Sequence, residues 1–160
     1  MSSLNSNVFE NFKYLHCIES NPYFNSQIKN ILKNKYVNKP NSLLKYLNES
    51  KIVLCSYPQT SMCESILTGP SILVYNFDDW PFDEKFLSVH QELIKNKIAF
   101  SNAREASLHI NDIWDQVDEW WNSKGVKNAI EKFNKNLCLT DKNSTNLWVN
   151  FLKNEIKENL

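Results

Sequence analysis

Two short, largely apolar runs in the middle of the chain predict buried strands. They cover residues 52–57 and 71–76, and neither alternates between apolar and polar residues, which is typical of strands with both faces covered. Residues 61–67 between them predict a short helix that Gly69 and Pro70 end. A strand, a helix and a second strand in this order predict a βαβ unit with parallel strands and a right-handed crossover.

Apolar residues at three- and four-residue steps predict helices on both sides of this unit. Upstream they cover residues 26–35 and 42–48, whereas residues 1–20 fit either a short strand or the edge of a helix. Downstream, a helix over residues 83–95 precedes a short strand at 98–100. Alternating strands and helices of this kind predict an α/β fold with a parallel sheet.

The C-terminal third carries only helical patterns. Asn102-x-x-Glu105 resembles a capping box and opens the longest apolar stripe of the chain. The members of this stripe are Ala106, Ile110, Ile113, Trp114, Val117, Trp120 and Trp121. We expect Ser123-Lys124-Gly125 to break the helix, and two further helices to follow. Residues 1–160 are therefore predicted to form one α/β domain with flanking helices and an all-helical C-terminal third.

Charge and cysteine content narrow the range of partners. Lysine and arginine together number 18, as do aspartate and glutamate, so no net charge attracts nucleic acid or an anionic membrane. No apolar run approaches the length of a membrane span, and the N-terminus lacks the basic and apolar regions of a signal peptide.

Cys17, Cys55, Cys63 and Cys138 form no Cys-x-x-Cys pair. We therefore expect a cytoplasmic protein with reduced thiols, without a zinc site or a disulfide framework.

The end of the first predicted strand is a candidate phosphate site, because open parallel sheets bind ligands at the carboxyl ends of their strands. The chain turns there through Pro58 and Gln59 into a helix, with the hydroxyl groups of Thr60 and Ser61 at its start. Free backbone N–H groups and the positive end of the helix dipole favour an anion at this position. Neither Gly-x-Gly-x-x-Gly nor a P-loop pattern is present, which disfavours the usual dinucleotide and ATP sites.

Glu64 in the same helix fits two roles. Ser61-x-x-Glu64 matches a capping box, in which Ser61 caps the helix and the Glu64 carboxylate accepts a bond from a backbone N–H. The same two side chains also fit a ligand site at the strand end. Spacing alone does not separate these two interpretations.

The second strand end leads into an acidic and aromatic loop. Asp78 and Asp79 fit either a metal site or a solvated loop, and adjacent acidic residues more often have the second role, so we predict no metal site. Trp80 fits stacking on a base or a sugar equally well as packing against a helix. His90 lies in an apolar helical stripe, which favours a structural histidine, and no catalytic residue can be assigned from the sequence.

The segment from Ser50 to Ile72 resembles the donor-binding βαβ unit of GT-B glycosyltransferases. It has the strand, the small polar residues Thr60-Ser61, the glutamate, a small residue, an apolar pair and Gly69-Pro70, although one spacer residue of the family pattern is absent between the last two. Over residues 42–153 the chain is also similar to bacterial transferases of surface-carbohydrate and lipopolysaccharide biosynthesis. The motifs that carry this similarity are Tyr57-Pro58-Gln59-Thr60, the loop with Trp80, Asn96-Lys97-Ile98, Ala106-Ser107-Leu108-His109-Ile110-Asn111 and Trp120-Trp121-Asn122-Ser123.

This resemblance implies a Rossmann-like domain that binds a nucleotide sugar. Thr60 and Ser61 would face the donor phosphates, Glu64 would bind hydroxyl groups of the ribose or the sugar, and Tyr57 and Trp80 would line the same cleft. The resemblance implies no metal or other cofactor, because helix dipoles and side chains stabilise the departing phosphate in that family.

The resemblance also implies that a second component is needed. The acceptor site and any catalytic base come from the N-terminal half of GT-B enzymes, and 160 residues are too few to contain both halves. We therefore expect the donor-binding part of a glycosyltransferase of surface polysaccharide biosynthesis, inactive without an N-terminal acceptor domain or a partner subunit. The alternative is a non-catalytic remnant or interaction domain of the same fold, so whether the chain is an enzyme stays open.

Overall fold

The computed structural model describes residues 3–15, 22–37, 42–138 and 143–158, and these residues contain two parallel sheets. The smaller sheet pairs β1 (Tyr14–Leu15) with β2 (Tyr36–Val37), and the larger sheet has the order β3 (Val53–Cys55), β4 (Ser71–Val74), β5 (Ala99–Phe100). In the larger sheet Val53 lies opposite Ser71, and Leu73 lies opposite Ala99. The predicted parallel βαβ unit is therefore confirmed.

Helices precede, separate and follow these strands in the described residues. They are α1 (Ser6–Glu10), α2 (Pro22–Leu32), α3 (Leu43–Glu49), α4 (Thr60–Thr68), α5 (Leu87–Lys95), α6 (Ala103–Ile113), α7 (Val117–Trp121), α8 (Lys124–Phe133) and α9 (Ser144–Glu158). Short 3₁₀ turns at Lys33–Lys35 and Glu84–Phe86 follow α2 and precede α5, and a π-helical segment, Asn134–Cys138, follows α8. Asn102 caps α6 as predicted, because its Oδ1 accepts bonds from the backbone N–H groups of Arg104 (2.8 Å) and Glu105 (3.3 Å).

β4 is covered on both faces, and this burial organises the fold. Leu73 and Tyr75 contribute to one core, whereas Ile72 contributes to a second core against which Val74 packs. The first core is completed from α4, α5 and α8 by Met62, Ile66, Val89, Leu93, Val126, Ala129 and Phe133. The second is completed mainly from α1 and α6 by Val8, Ala106, Ile110 and Ile113. Successive strand residues point to opposite faces, so helices on both sides produce the layered α/β arrangement expected of a parallel sheet.

β3 differs from its prediction because it is the edge strand of this sheet. It spans three residues instead of residues 52–57, and it is not buried on both faces. Leu54 is 44% exposed, since the helices that cover β4 on the second face do not extend over it. An apolar run in the sequence indicates that its side chains favour burial. It does not indicate how far the neighbouring helices extend over the strand.

The long helix predicted after Asn102 is divided in two. α6 ends at Ile113, and α7 begins at Val117 after a short turn. The apolar spacing continues across this turn because both helices contribute to the second core, and therefore periodicity does not reveal the break. Trp114 lies in the turn and is only half-buried, with the Lys51 Nζ atom 4.8 Å from the centre of its ring.

The break predicted at residues 123–125 is confirmed at Ser123, which directly precedes α8, but Gly125 itself lies in the first turn of that helix. A Cβ atom at this position would overlap the Oδ1 atom of Asn96, the residue that ends α5. The Asn96 side chain cannot move freely, because its Nδ2 atom donates to the carbonyl oxygen of Glu92 at 2.9 Å. Glycine therefore permits the close contact between α8 and the end of α5.

We predict that Phe133→Ala lowers the free energy of unfolding by about 3–5 kcal/mol, because Phe133 is fully buried in the first core. Phe151→Ala is the matched control, since Phe151 on α9 is 53% exposed, and we expect it to change stability by less than about 0.5 kcal/mol. Urea unfolding of the two variants measures both effects. Equal losses would contradict the assignment of this core.

Candidate functional site

The loops that follow β3 and β4 meet at the carboxyl edge of the larger sheet. Tyr57 follows β3, Trp80 follows β4, and their ring centroids are 4.6 Å apart with the planes tilted by 60°. Both side chains stay accessible, with 45% of Tyr57 and 40% of Trp80 exposed. Trp80 thus packs against an aromatic residue of the neighbouring loop, and the pair still presents ring surface to solvent.

The loop after β4 is shaped by Asn76. Its Oδ1 atom accepts a bond from the backbone N–H of Asp78 at 3.1 Å, and its carbonyl oxygen accepts one from the N–H of Trp80 at 3.2 Å. Asparagine commonly stabilises a tight turn in this way. The turn returns Trp80 towards the loop after β3, while Asp78 and Asp79 remain exposed. No group of three or more histidine, cysteine, aspartate or glutamate residues suited to a metal lies within the described residues.

An aromatic cluster around His90 contains residues that flank this loop. The hydroxyl group of Tyr75 lies 2.9 Å from Nε2 of buried His90, and the rings of Phe77 and Phe82 each lie 4.5 Å from the imidazole. Burial lowers the pKa of His90, which favours the neutral imidazole. His90 therefore has the structural position that its apolar stripe predicted.

α4 begins at Thr60, and the residue before it, Gln59, makes no side-chain capping bond. The N–H of Met62 binds the carbonyl oxygen of Gln59 at 2.9 Å. The N–H groups of Thr60 and Ser61 have no hydrogen-bond partner in the part of the chain that the structure describes. This nine-residue helix therefore presents two free donors and the positive end of its dipole at the carboxyl edge.

The capping-box interpretation of Ser61 and Glu64 is wrong. Gln59 occupies the cap position, which places Ser61 one residue inside the helix and Glu64 more than a turn along it. Across residues 42–138 no hydrogen bond or ion pair is found for the half-buried Glu64 carboxylate. Because residues four apart share a helix face, Glu64 lies on the face that begins with Thr60.

Two concave regions of the surface lie away from these residues. The first, about 450 Å³, is lined by residues that precede β3 and β4 and by residues 115–119, so it is at the opposite edge of the sheet. The second, about 420 Å³, is lined by α8, including Glu131 and Lys132, and by the π-helical segment after it. Neither contains a predicted donor-binding residue.

His109 is buried, and the sequence did not indicate the protonation state of its imidazole. Its ring lies 5.6 Å from that of Phe100 and 5.2 Å from that of Trp120, and its Nε2 atom has no partner among the described residues. Burial, and secondarily the positive charge of Lys97, lower its pKa to about 4 against the opposing effect of Asp112. His109 belongs to the packing between α6, α7 and β5 and does not reach the carboxyl edge.

We predict that His109 makes stability depend on pH. The imidazole takes up a proton near pH 6.5 when unfolded but only near pH 4 when folded, so its contribution is complete above pH 6.5 and is lost as the pH falls towards 4. His109→Phe should make the loss of unfolding free energy between pH 7 and pH 4 smaller by up to about 3 kcal/mol. Parallel pH profiles of the variant and the wild type in urea unfolding would contradict this prediction.

Comparison with known proteins assigns the chain to a family. A family model described as LIC12162 family transferase matches residues 1–152, which is nearly the whole sequence. No curated protein and no solved structure matches the chain. No helix in the described residues has the length and apolar character required to cross a bilayer. The chain therefore belongs to the LIC12162 family of transferases.

Proposed function

We propose that this transferase binds the nucleotide-sugar donor of a glycosyl transfer at the carboxyl edge of its larger sheet. The observation that carries the proposal is the contact of Tyr57 with Trp80, at 4.6 Å, on the edge where α4 begins. It joins the loops of two neighbouring parallel strands at the position where open α/β sheets bind ligands. A donor-binding site at this edge is consistent with the membership of the chain in a transferase family.

The donor diphosphate would lie at the start of α4. The free N–H groups of Thr60 and Ser61 suit phosphate oxygens, and the two hydroxyl groups offer further hydrogen bonds. In this proposal the N–H groups and the helix dipole stabilise the diphosphate, and no metal ion is invoked. We therefore place the two phosphates, and not the base, against this helix.

Tyr57 and Trp80 would contact the base or the sugar, because ring surface that is accessible to solvent suits a planar or weakly polar ligand face. The Glu64 carboxylate suits the hydroxyl groups of a ribose or a sugar, each of which can donate a hydrogen bond to it. Its place on the face of α4 that starts with Thr60 supports this role. Together the five side chains would bind the polar and the planar parts of one donor.

In the reaction, an acceptor hydroxyl attacks the anomeric carbon of the sugar while the bond from this carbon to the phosphate oxygen breaks. Negative charge grows on the departing nucleoside diphosphate, and the N–H groups at the start of α4 would stabilise it most at this stage. We assign no catalytic base to this chain. The acceptor and the base would come from an N-terminal acceptor domain or a partner subunit.

The solvent exposure of the Tyr57 and Trp80 rings supports this need for a second component. Small-molecule sites usually bury most of the ligand surface, which two exposed rings do not do alone. We therefore propose weak donor binding and no turnover by the isolated chain, with a role in surface polysaccharide biosynthesis in the cytoplasm. The second candidate is a non-catalytic interaction domain, which the exposed apolar residues of α9 favour: Leu147, Trp148, Phe151, Leu152 and Ile156.

We predict that UDP- or CDP-sugars raise the melting temperature of the chain. At a ligand concentration ten times Kd the stabilisation is about 1.4 kcal/mol. For a chain of this size that corresponds to a rise of about 3–6 °C. Trp80→Ala and Glu64→Gln should each remove most of this rise, and differential scanning fluorimetry measures it.

The matched controls are Trp148→Ala, which removes another exposed tryptophan, and Glu131→Gln, which changes another glutamate outside the proposed site. Both should keep the full ligand-dependent rise. If no nucleotide sugar shifts the melting temperature, the interaction-domain alternative is favoured. If the control variants lose the rise as well, the ligand binds away from the carboxyl edge.

A further inference from the structure

Packing brings together two cysteines that are distant in the sequence. Cys63 lies on α4, and Cys138 is the last residue of the π-helical segment after α8. These two elements contact each other, and both side chains are half-buried against the first core. Both cysteines are free thiols, and Cys63 lies close enough to Cys138 to raise the pKa of that thiol.

We propose that Cys63 and Cys138 form an oxidation-sensitive pair, which a disulfide oxidant such as oxidised glutathione converts into an intramolecular disulfide. Cysteines on separate, packed elements can pair without a rearrangement of the fold, provided that their side chains already meet. The expected cytoplasmic location keeps such a pair reduced until the glutathione pool becomes oxidised. The pair is independent of the proposed donor site, although Cys63 directly precedes Glu64.

The reaction proceeds in two exchange steps. The Cys63 thiolate attacks one sulfur of oxidised glutathione, which forms a mixed disulfide and releases one glutathione thiolate. Cys138 then loses its proton to solvent and attacks the Cys63 sulfur, which releases the second glutathione. Two protein thiols are thereby oxidised by two electrons in total, and one oxidised glutathione is reduced to two molecules of glutathione.

The surroundings of Cys138 favour this order. Burial, and secondarily the neighbouring Cys63, raise the pKa of Cys138 to about 12, so Cys138 stays protonated at neutral pH. The first attack is therefore assigned to Cys63. Once Cys63 carries glutathione, its thiol no longer opposes the ionisation of Cys138, and the second step becomes easier.

Cys55 has a different environment from this pair. It is buried, and its thiol contacts the hydroxyl group of Ser65 at 3.3 Å and the carbonyl oxygen of Ser61 at 3.8 Å. Burial also raises its pKa. Cys55 is therefore protected from the oxidant in the folded protein and provides a control thiol. Cys17 lies outside the described residues.

The experiment treats the full folded chain with oxidised glutathione at pH 8, blocks the remaining thiols by alkylation and maps the peptides by mass spectrometry. We expect a cross-linked peptide pair that contains Cys63 and Cys138, while Cys55 remains alkylated. In Cys138→Ser the mixed disulfide on Cys63 should persist, because the resolving thiol is absent. In Cys63→Ser, Cys138 should stay alkylated, and in Cys55→Ser the cross-link should form as in the wild type.

Peptide mapping of the wild type tests the proposed disulfide even if a variant fails to fold. A Cys63–Cys138 cross-link that forms at least tenfold faster in buffer than in denaturant supports the native pair. The proposal is overturned if the cross-link forms only in denaturant, or if Cys63 pairs with Cys17 instead. It is also overturned if the wild type retains glutathione on Cys63 without closing the disulfide.

Discussion

The burial of β4 between two helical layers is the constraint on which the rest of this structure depends. Its backbone pairs with both neighbouring strands, as shown by the bond from Leu73 N–H to the Ile98 carbonyl (2.8 Å), while its side chains alternate between two cores. Because the three strands run parallel, the loops after β3 and β4 leave at one edge. The contact of Tyr57 with Trp80 is thus a consequence of sheet topology and of the turn at Asn76.

In the proposed site, phosphate recognition rests on backbone donors and not on positively charged side chains. No lysine or arginine lies among Tyr57–Glu64 or in the loop from Asn76 to Trp80, so a phosphate at this edge depends on the free N–H groups of α4. Such donors are fixed by the helix and need no reorganisation as charge develops on a leaving group.

The sequence predicted β4, the start of α4 within one residue and the Asn102 cap, because each depends on local residue preferences. It did not predict the exposure of Leu54, which depends on how far the helices above the sheet extend. The capping box at Ser61 failed because a cap position is decided by backbone angles that spacing does not fix. The proximity of Cys63 and Cys138 depends on the packing of α4 against the π-helical segment, and no local sequence pattern predicts this packing. The five donor-site residues remain a sequence-based prediction, although the fold brings their elements to one edge.

The most direct measurement of the central claim is a nuclear magnetic resonance titration of the ¹⁵N-labelled chain with a nucleoside diphosphate. If the start of α4 binds the phosphates, three signals shift together with a single Kd. They are the amide signals of Thr60 and Ser61 and the indole signal of Trp80. The indole signal of Trp148 on α9 then stays in place. Shifts confined to residues 115–119 at the opposite edge, or no shift at Thr60 and Ser61 at saturating ligand, would contradict the account.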